Sequence, residues 1–316
     1  MDTMGKLIFL SKKHNGGYGD RLVGFSSAIT IGRILHMNVS SIWEEDFVSI
    51  CNKSHQFSSL PIEYIDINCY NKKSHPVLEH ENILEVWKGK TIVFQANQPV
   101  DILLWKNPYL QHILTDIPYE QYAIQSFKEI FTKYIELNDI LQEYTDIYEY
   151  GIQIRCGDTY CMPHSLAQQY IPEKLFTEFA KSVKQYLQTN GIRGRVYLTS
   201  DAHILYSVFK SLSDTTIQFV YWERSQDIHF DSYNSQNKYM EIVRDHICLQ
   251  HCKRILTSIR SNFGTTAAYC SPFCKELIFF SSTWDEPLNI TYKNFNIDTY
   301  SDTSTLVLKE YLTHLL

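Results

Sequence analysis

The second half of the chain alternates strand and helix signals so regularly that few folds remain open to it. Runs rich in apolar and β-branched residues at 148–155, 195–200, 218–221, 254–258 and 276–280 are the strand signals. Between them, helical periodicity recurs over 172–188, with proline in its first turn, and over 202–211, 239–251 and 262–270. Strands separated by helices cannot be joined by tight hairpins, so they pair in parallel and the helices cover the faces of the sheet. Such a sheet presents its polar chemistry in the loops at the carboxyl ends of its strands. The fold class is therefore α/β.

The first half begins the same way. Residues 6–11 read as a buried strand. Leu22, Phe25, Ile29 and Gly32 then recur at helical spacing, with Arg33-Ile34-Leu35-His36 closing the helix, and 39–43 is the next strand. The loop in between carries Gly16, Gly17 and Gly19, which makes a βαβ unit with a glycine-rich first turn. Within 47–100 only Thr91-Ile92-Val93-Phe94 reads as a strand. From Tyr119 to about Tyr144 the pattern is helical, with Phe127, Ile130, Phe131, Tyr134 and Ile135 on one side. At 316 residues the chain is long for one core. We place the boundary at the end of that helix, giving domains 1–145 and 146–316, with 303–316 a final amphipathic helix that packs back.

A net charge of −6, with no block of basic residues, argues against a nucleic-acid partner. Nowhere do 18 apolar residues run together, and Leu7-Ile8-Phe9-Leu10 is too short for a signal-peptide core. These features predict a chain without a membrane span in a cytoplasmic location. The eight cysteines form no Cys-x-x-Cys pair and read as reduced packing residues.

Several strand ends carry groups suited to an anion. Arg155 follows an apolar run, with Asp158 three residues on, and its planar fork of donors matches phosphate oxygens. A loop ion pair between the two is the structural alternative. The Gly16-Gly17-Tyr18-Gly19 turn opens a helix, where backbone N–H groups make an anion site, or it is simply a tight turn. It fails the dinucleotide fingerprint, since the third glycine would fall at Leu22, and it lacks the lysine of a P-loop. Thr199-Ser200-Asp201 and Ser258 through Thr266 end further strands, although Asp201, Ser261 and Asn262 would also serve as helix N-caps. The chain has no Asp-x-Asp, which disfavours a metal-dependent sugar-nucleotide site. His246, Cys248, His251 and Cys252 share one predicted helix without a second ligand pair, so they read as packing rather than a zinc site. Cys156 has no histidine and acid in a recognisable relation to it.

Four segments, Gly16–Gly24, Gln153–Asp158, Thr199–Asp201 and Asp245–Ala268, together resemble the fucosyltransferase superfamily, whose members use GDP-fucose. The Gly17-Tyr18-Gly19-Asp20-Arg21 form is similar to bacterial nodulation fucosyltransferases and to viral and algal relatives. The resemblance implies two Rossmann-like domains facing a cleft, a glycosyltransferase-B arrangement, and an inverting transfer to a glycan hydroxyl that needs no metal or cofactor. It also implies roles for residues. Arg155 falls where the family's arginine contacts the β-phosphate. Asp201 and Ser261-Asn262-Phe263-Gly264 fall where the family contacts nucleoside and phosphates, and Gly17 and Gly19 match the glycines that close over the diphosphate. Gly16, Tyr18, Arg21, Gln153 and Ser200 complete the donor-side set. The base is sought in Asp20 or the Glu44-Glu45-Asp46 cluster, with Asp158 orienting Arg155. Gln153 and Cys156 stand where the family's first motif often has histidine and a second arginine. Three alternatives stay open: a transferase of another nucleotide sugar such as UDP-xylose, a nucleotide-dependent oxidoreductase, and a non-catalytic sugar or nucleotide-binding protein.

Overall fold

A computed structural model of the chain describes residues 5–12, 17–43, 60–72, 74–114, 118–137, 139–156, 171, 173–223, 236–259, 261–283 and 289–297. The chain divides between Gln142 and Glu143 into two compact units. The final helix expected at 303–316 lies outside the described residues.

In the first unit four strands pair in the order β2-β1-β4-β3, all in parallel: β1 (Gly5–Ser11), β2 (Asn38–Trp43), β3 (Ile65–Asn68) and β4 (Lys90–Gln95). Leu7, Ile8 and Phe9 of β1 are buried on both faces of the sheet, as a central parallel strand requires. Helix α1 (Tyr18–Ile34) returns the chain from β1 to β2 and is buried around almost its whole circumference. Its glycines make that possible. A Cβ on Gly24 would collide with the Ala96 carbonyl beyond β4, and one on Gly32 with the Val39 side chain of β2.

A polar seam runs along α1 at every third residue. Ser27 donates to Asp101 at 2.6 Å, Thr30 meets Ser126 at 2.8 Å, and Arg33 pairs with Glu129 at 2.8 Å. Ser126 and Glu129 lie on α2 (Tyr119–Glu129), so these partners fix how α2 packs on α1. Burial raises the Asp101 carboxyl above the ordinary carboxylate range, against the hydrogen bonds from Ser27 and Tyr119.

The helix expected to continue to about Tyr144 does not. After α2 comes a single π turn, Ile130–Tyr134, closed by the Ile135 N–H on the Ile130 carbonyl at 2.7 Å. Ile135 is extended (φ −121°, ψ 114°) and buries its side chain by leaving the helix, and only the short Asp139–Gln142 turn follows.

In the second unit six strands pair in the order β10-β9-β8-β5-β6-β7. They are β5 (Tyr150–Ile154), β6 (Gly194–Ser200), β7 (Ile217–Val220), β8 (Arg254–Ser258), β9 (Glu276–Thr283) and β10 (Asn289–Asn296). All neighbours are parallel except β9 and β10. The expected alternation is present, with α3 (Phe176–Thr189), α4 (Ile204–Ser211), α5 (Gln236–Gln250) and α6 (Asn262–Cys270) between the strands. The first strand is shorter than its sequence signal, because Tyr148 makes only an isolated bridge to Cys252.

The period of two along β6 shows how the layers form. Val196 and Leu198 enter a core with Phe179 and Val183 of α3 and Phe209 of α4. Tyr197 and Thr199 point to the other face and donate to Asp245 of α5 at 3.0 and 2.9 Å. Phe179 is wholly buried, so Phe179→Ala would remove about 3–5 kcal/mol of packing.

Candidate functional site

In the second unit the chain winds from β5 outward through β6 and β7, then returns to the other side of β5 for β8 and β9. The strand order thus reverses between β5 and β8. In open α/β sheets the crevice outside the carboxyl ends at such a reversal is where ligands bind. Three strand ends are tied together there. Arg155, exposed and first past β5, donates its backbone N–H to Ser258 Oγ at the end of β8, 2.9 Å away. Cys156 donates its N–H to Asp201 Oδ1, just past β6, at 2.6 Å. A hydrogen bond to a carboxylate is among the stronger ones, so the backbone that carries Arg155 is held from both sides.

Ser258 also accepts, through its carbonyl, the N–H of Ser261 at 3.0 Å, which brings the start of α6 to the same place. Ser261 has the extended backbone of an N-cap (φ −85°, ψ 106°), but its side chain makes no capping bond. Its hydroxyl is buried and without a hydrogen-bond partner. A hydroxyl left unmatched at a helix N-terminus, on a turn joined through Ser258 to the backbone of Arg155, suits an anionic ligand oxygen. Asn262 and Phe263, the first two residues of α6, are half-buried at the same point.

The remaining strand-end residues lie beneath this surface. Gln153 is buried, its Oε1 accepting from Thr257 at 2.6 Å. Gly264 packs directly on that pair, since a Cβ there would collide with Thr257 and come within 3.2 Å of Gln153 Oε1. Ser200 is buried too. Its hydroxyl accepts from the Ala202 N–H at 3.1 Å, and Tyr206 brackets its backbone at 2.9 and 3.0 Å. The Cys156 thiol is 1 % exposed, inside the fold rather than facing solvent. Ser258 and Thr257, which carry these contacts, had no assigned role in the sequence reading. Their signals were their position in the strand end before α6 and their place within the Asp245–Ala268 segment.

Gly17, Tyr18, Gly19, Asp20 and Arg21 form the N-terminus of α1 in the first unit. Gly17 is the N-cap, and its N–H donates to Asp20 Oδ2 at 2.9 Å, the half of a capping box that needs no side chain on the cap residue. Tyr18, Gly19 and Arg21 are buried and Asp20 is half-buried. Gly16, Asp158 and the Glu44-Glu45-Asp46 cluster lie outside the described residues.

Among the described residues, no group of three His, Cys, Asp or Glu side chains could hold a metal ion. On α5 and just past it, burial pushes the Cys248 thiol up to about 12, raises the Cys252 thiol well above its ordinary value, and pushes His246 down to about 3. Burial thus holds the two thiols and the imidazole in their neutral forms. Among the described residues, Cys69, Cys156, Cys248, Cys252, Cys270 and Cys274 are buried and form no disulfide. Among the described residues no helix is long and apolar enough to cross a membrane. A cavity of about 300 Å³ walled by Tyr144, Tyr148, Trp222 and Cys248 includes none of the strand-end residues.

By sequence, neither a family model nor a curated protein matches the chain. Solved structures do match its fold. A mutant of FUT1 from Arabidopsis thaliana in complex with GDP superposes with a TM-score of 0.59 at 12% identity, covering 88% of this chain and 71% of that one. The NodZ alpha-1,6-fucosyltransferase soaked with GDP-fucose gives 0.52 at 13% identity, covering 92% and 99%. Selenomethionine NodZ from Bradyrhizobium gives 0.52 at 12% identity with the same coverage. The fold, two α/β units with Rossmann-like parallel sheets, is that of solved fucosyltransferases.

Proposed function

We propose that the protein is a glycosyltransferase that takes a sugar, fucose, from GDP-fucose and transfers it to a glycan hydroxyl. The observation that carries this reading is the strand-order reversal, where exposed Arg155 and the start of α6 are both tied to Ser258. The likeness of fold to proteins solved with GDP and GDP-fucose supports guanosine diphosphate as the nucleotide.

In the proposed reaction the acceptor oxygen attacks the anomeric carbon as the bond from that carbon to the diphosphate breaks. The configuration inverts, and the acceptor proton passes to a base. Negative charge grows on the departing GDP. The Arg155 guanidinium, the N-terminus of α6 and the Ser261 hydroxyl would meet that charge. Asp201 would bound the nucleoside and the Asn262–Phe263 turn the phosphates, with Gln153, Ser200 and Gly264 supporting them from below. On the resemblance, Gly16, Gly17, Tyr18, Gly19 and Arg21 would also serve the donor. Asp20 or the acidic cluster at 44–46 would be the base, and Asp158 would orient Arg155. No metal ion or cofactor takes part in this scheme.

The test is a panel of nucleotide sugars with release of nucleoside diphosphate as the readout. GDP-fucose should be consumed, and Arg155→Ala should lower kcat about a hundredfold, the usual cost of one donor to a developing charge. Consumption of a UDP-sugar in its place would move the donor assignment. Full turnover by Arg155→Ala would remove the arginine from the mechanism.

A further inference from the structure

His246 of α5 is wholly buried, yet hydrogen bonds connect it to the start of α6. Its Nδ1 lies 3.0 Å from the Gln250 amide nitrogen. An amide nitrogen only donates, so Nδ1 accepts and the ring proton sits on Nε2. Nε2 therefore donates to Thr266 Oγ1 at 3.1 Å, and the Thr266 hydroxyl donates onward to the Asn262 carbonyl at 2.6 Å. The imidazole also meets the Phe263 ring edge to face, with centroids 5.1 Å apart. A directed chain of hydrogen bonds thus runs from α5 to the first residue of α6.

The other end of α6 is held from the same helix. Ser271, its C-cap, hydrogen-bonds the Gln250 carbonyl and accepts the N–H groups of Phe273 and Cys274 at 3.0 and 2.9 Å. His246 therefore holds the N-terminal half of α6, through Thr266 and the Phe263 ring, and Gln250 holds its C-terminus. Two grips fix a helix against sliding and rolling, which a single packed face does not. The turn so fixed is the one whose N-cap, Ser261, is tied through Ser258 to Arg155.

We propose that His246 is a positioning residue which, through Thr266, holds the first turn of α6 in the register where it and Arg155 receive the same diphosphate. The proposal rests on the reading of this site as a nucleoside-diphosphate site. It differs from ordinary core packing in what it predicts. A core histidine supports stability alone, whereas a positioning residue acts on phosphate affinity and leaves nucleoside affinity untouched.

The experiment is calorimetric titration of the full chain with GDP and, separately, with guanosine. Thr266→Val keeps the shape of the side chain and removes the hydroxyl that joins His246 to Asn262. It should weaken GDP binding about tenfold, the scale of one directed hydrogen bond, and leave guanosine affinity unchanged. Thr266→Ser, which keeps the hydroxyl, should restore GDP binding to within about twofold. His246→Phe retains the ring against Phe263 but cannot donate, and should give the same selective loss should the valine variant fail to fold. Unchanged GDP affinity in a folded Thr266→Val chain, or equal losses for GDP and guanosine, would overturn the role. A wild-type chain that binds neither GDP nor UDP would instead sink the diphosphate site itself, and the role of His246 with it.

Discussion

Gln153 and Arg155 are two positions apart at the end of β5, and their environments could hardly differ more. Gln153 lies under Gly264 and bonded to Thr257, while Arg155 is exposed past the end of the strand. The place of Arg155 was legible in the sequence, since a guanidinium ending an apolar run marks where a buried strand gives way to an exposed loop. The grip on its backbone was not legible, since Ser258 is 103 residues away and no local pattern announces so distant a partner. Gly264 was readable as special, but as a ligand contact; the structure makes its missing Cβ the reason α6 can approach β8. Gly264→Ala should therefore cost about 1–3 kcal/mol of stability from overpacking, measured by urea unfolding, and weaken GDP binding as the helix is pushed outward. Asp20 makes a similar point in the first unit. Its carboxylate caps α1 through the Gly17 N–H, so Asp20→Ala should lower stability by about 1 kcal/mol whatever it does to turnover. A stability unchanged by that substitution would show that the cap contributes nothing.

Among the elements, strands and helices that face a core on a regular period were read to within a few residues of their ends. Those that failed had weaker patterns. β10 is an edge strand, with Ile290 and Tyr292 against the core and polar residues between them, so its eight residues look like loop. The end of α2 deceived for the opposite reason: Ile130, Phe131, Tyr134 and Ile135 keep an apolar spacing through a π turn that the pattern cannot distinguish from α-helix. The buried ionisable groups that join these elements give opposite responses to pH. His246 is held neutral by burial, with its pKa lowered to about 3 against about 6.5 when unfolded. Its contribution to stability is complete above pH ~6.5 and is lost as pH falls toward 3, at up to about 1.4 kcal/mol per pH unit. Unfolding curves taken from pH 7 to pH 4 should show that slope, and His246→Phe should flatten it. Asp101 runs the other way. Burial raises its carboxyl, so the native state retains the proton and loses stability as pH rises above the ordinary carboxylate range. Asp101→Asn should gain on the wild type as pH rises through that window, and a constant gap between the two would count against the buried carboxyl.

For the whole molecule, alternation predicted parallel pairing but could not give the order of the strands. That order depends on which side of β5 each crossover lands, a tertiary choice with no local signature. It is also what matters for function, because the reversal between β5 and β8 sets Arg155 beside the start of α6. Solved fucosyltransferases share this fold at 12% and 13% identity, so patterning and packing, more than residue identity, preserve it. What so little identity leaves open is the nucleotide, and a ligand that binds only the native state reports on it directly. GDP at about a hundred times its dissociation constant should stabilise the chain by about 2.7 kcal/mol. For a unit of 150–250 residues each kcal/mol moves the melting temperature by about 2–4 °C, so GDP should raise it by roughly 5–11 °C. UDP at the same concentration should raise it less, and Arg155→Ala should cut the GDP shift while leaving the melting temperature without ligand in place, since Arg155 is exposed. If the two units melt in separate steps, only the step belonging to the unit with Arg155 should move. Equal shifts from GDP and UDP would remove the preference for guanosine, and a shift confined to the first unit would place the nucleotide at α1 rather than at the end of β5.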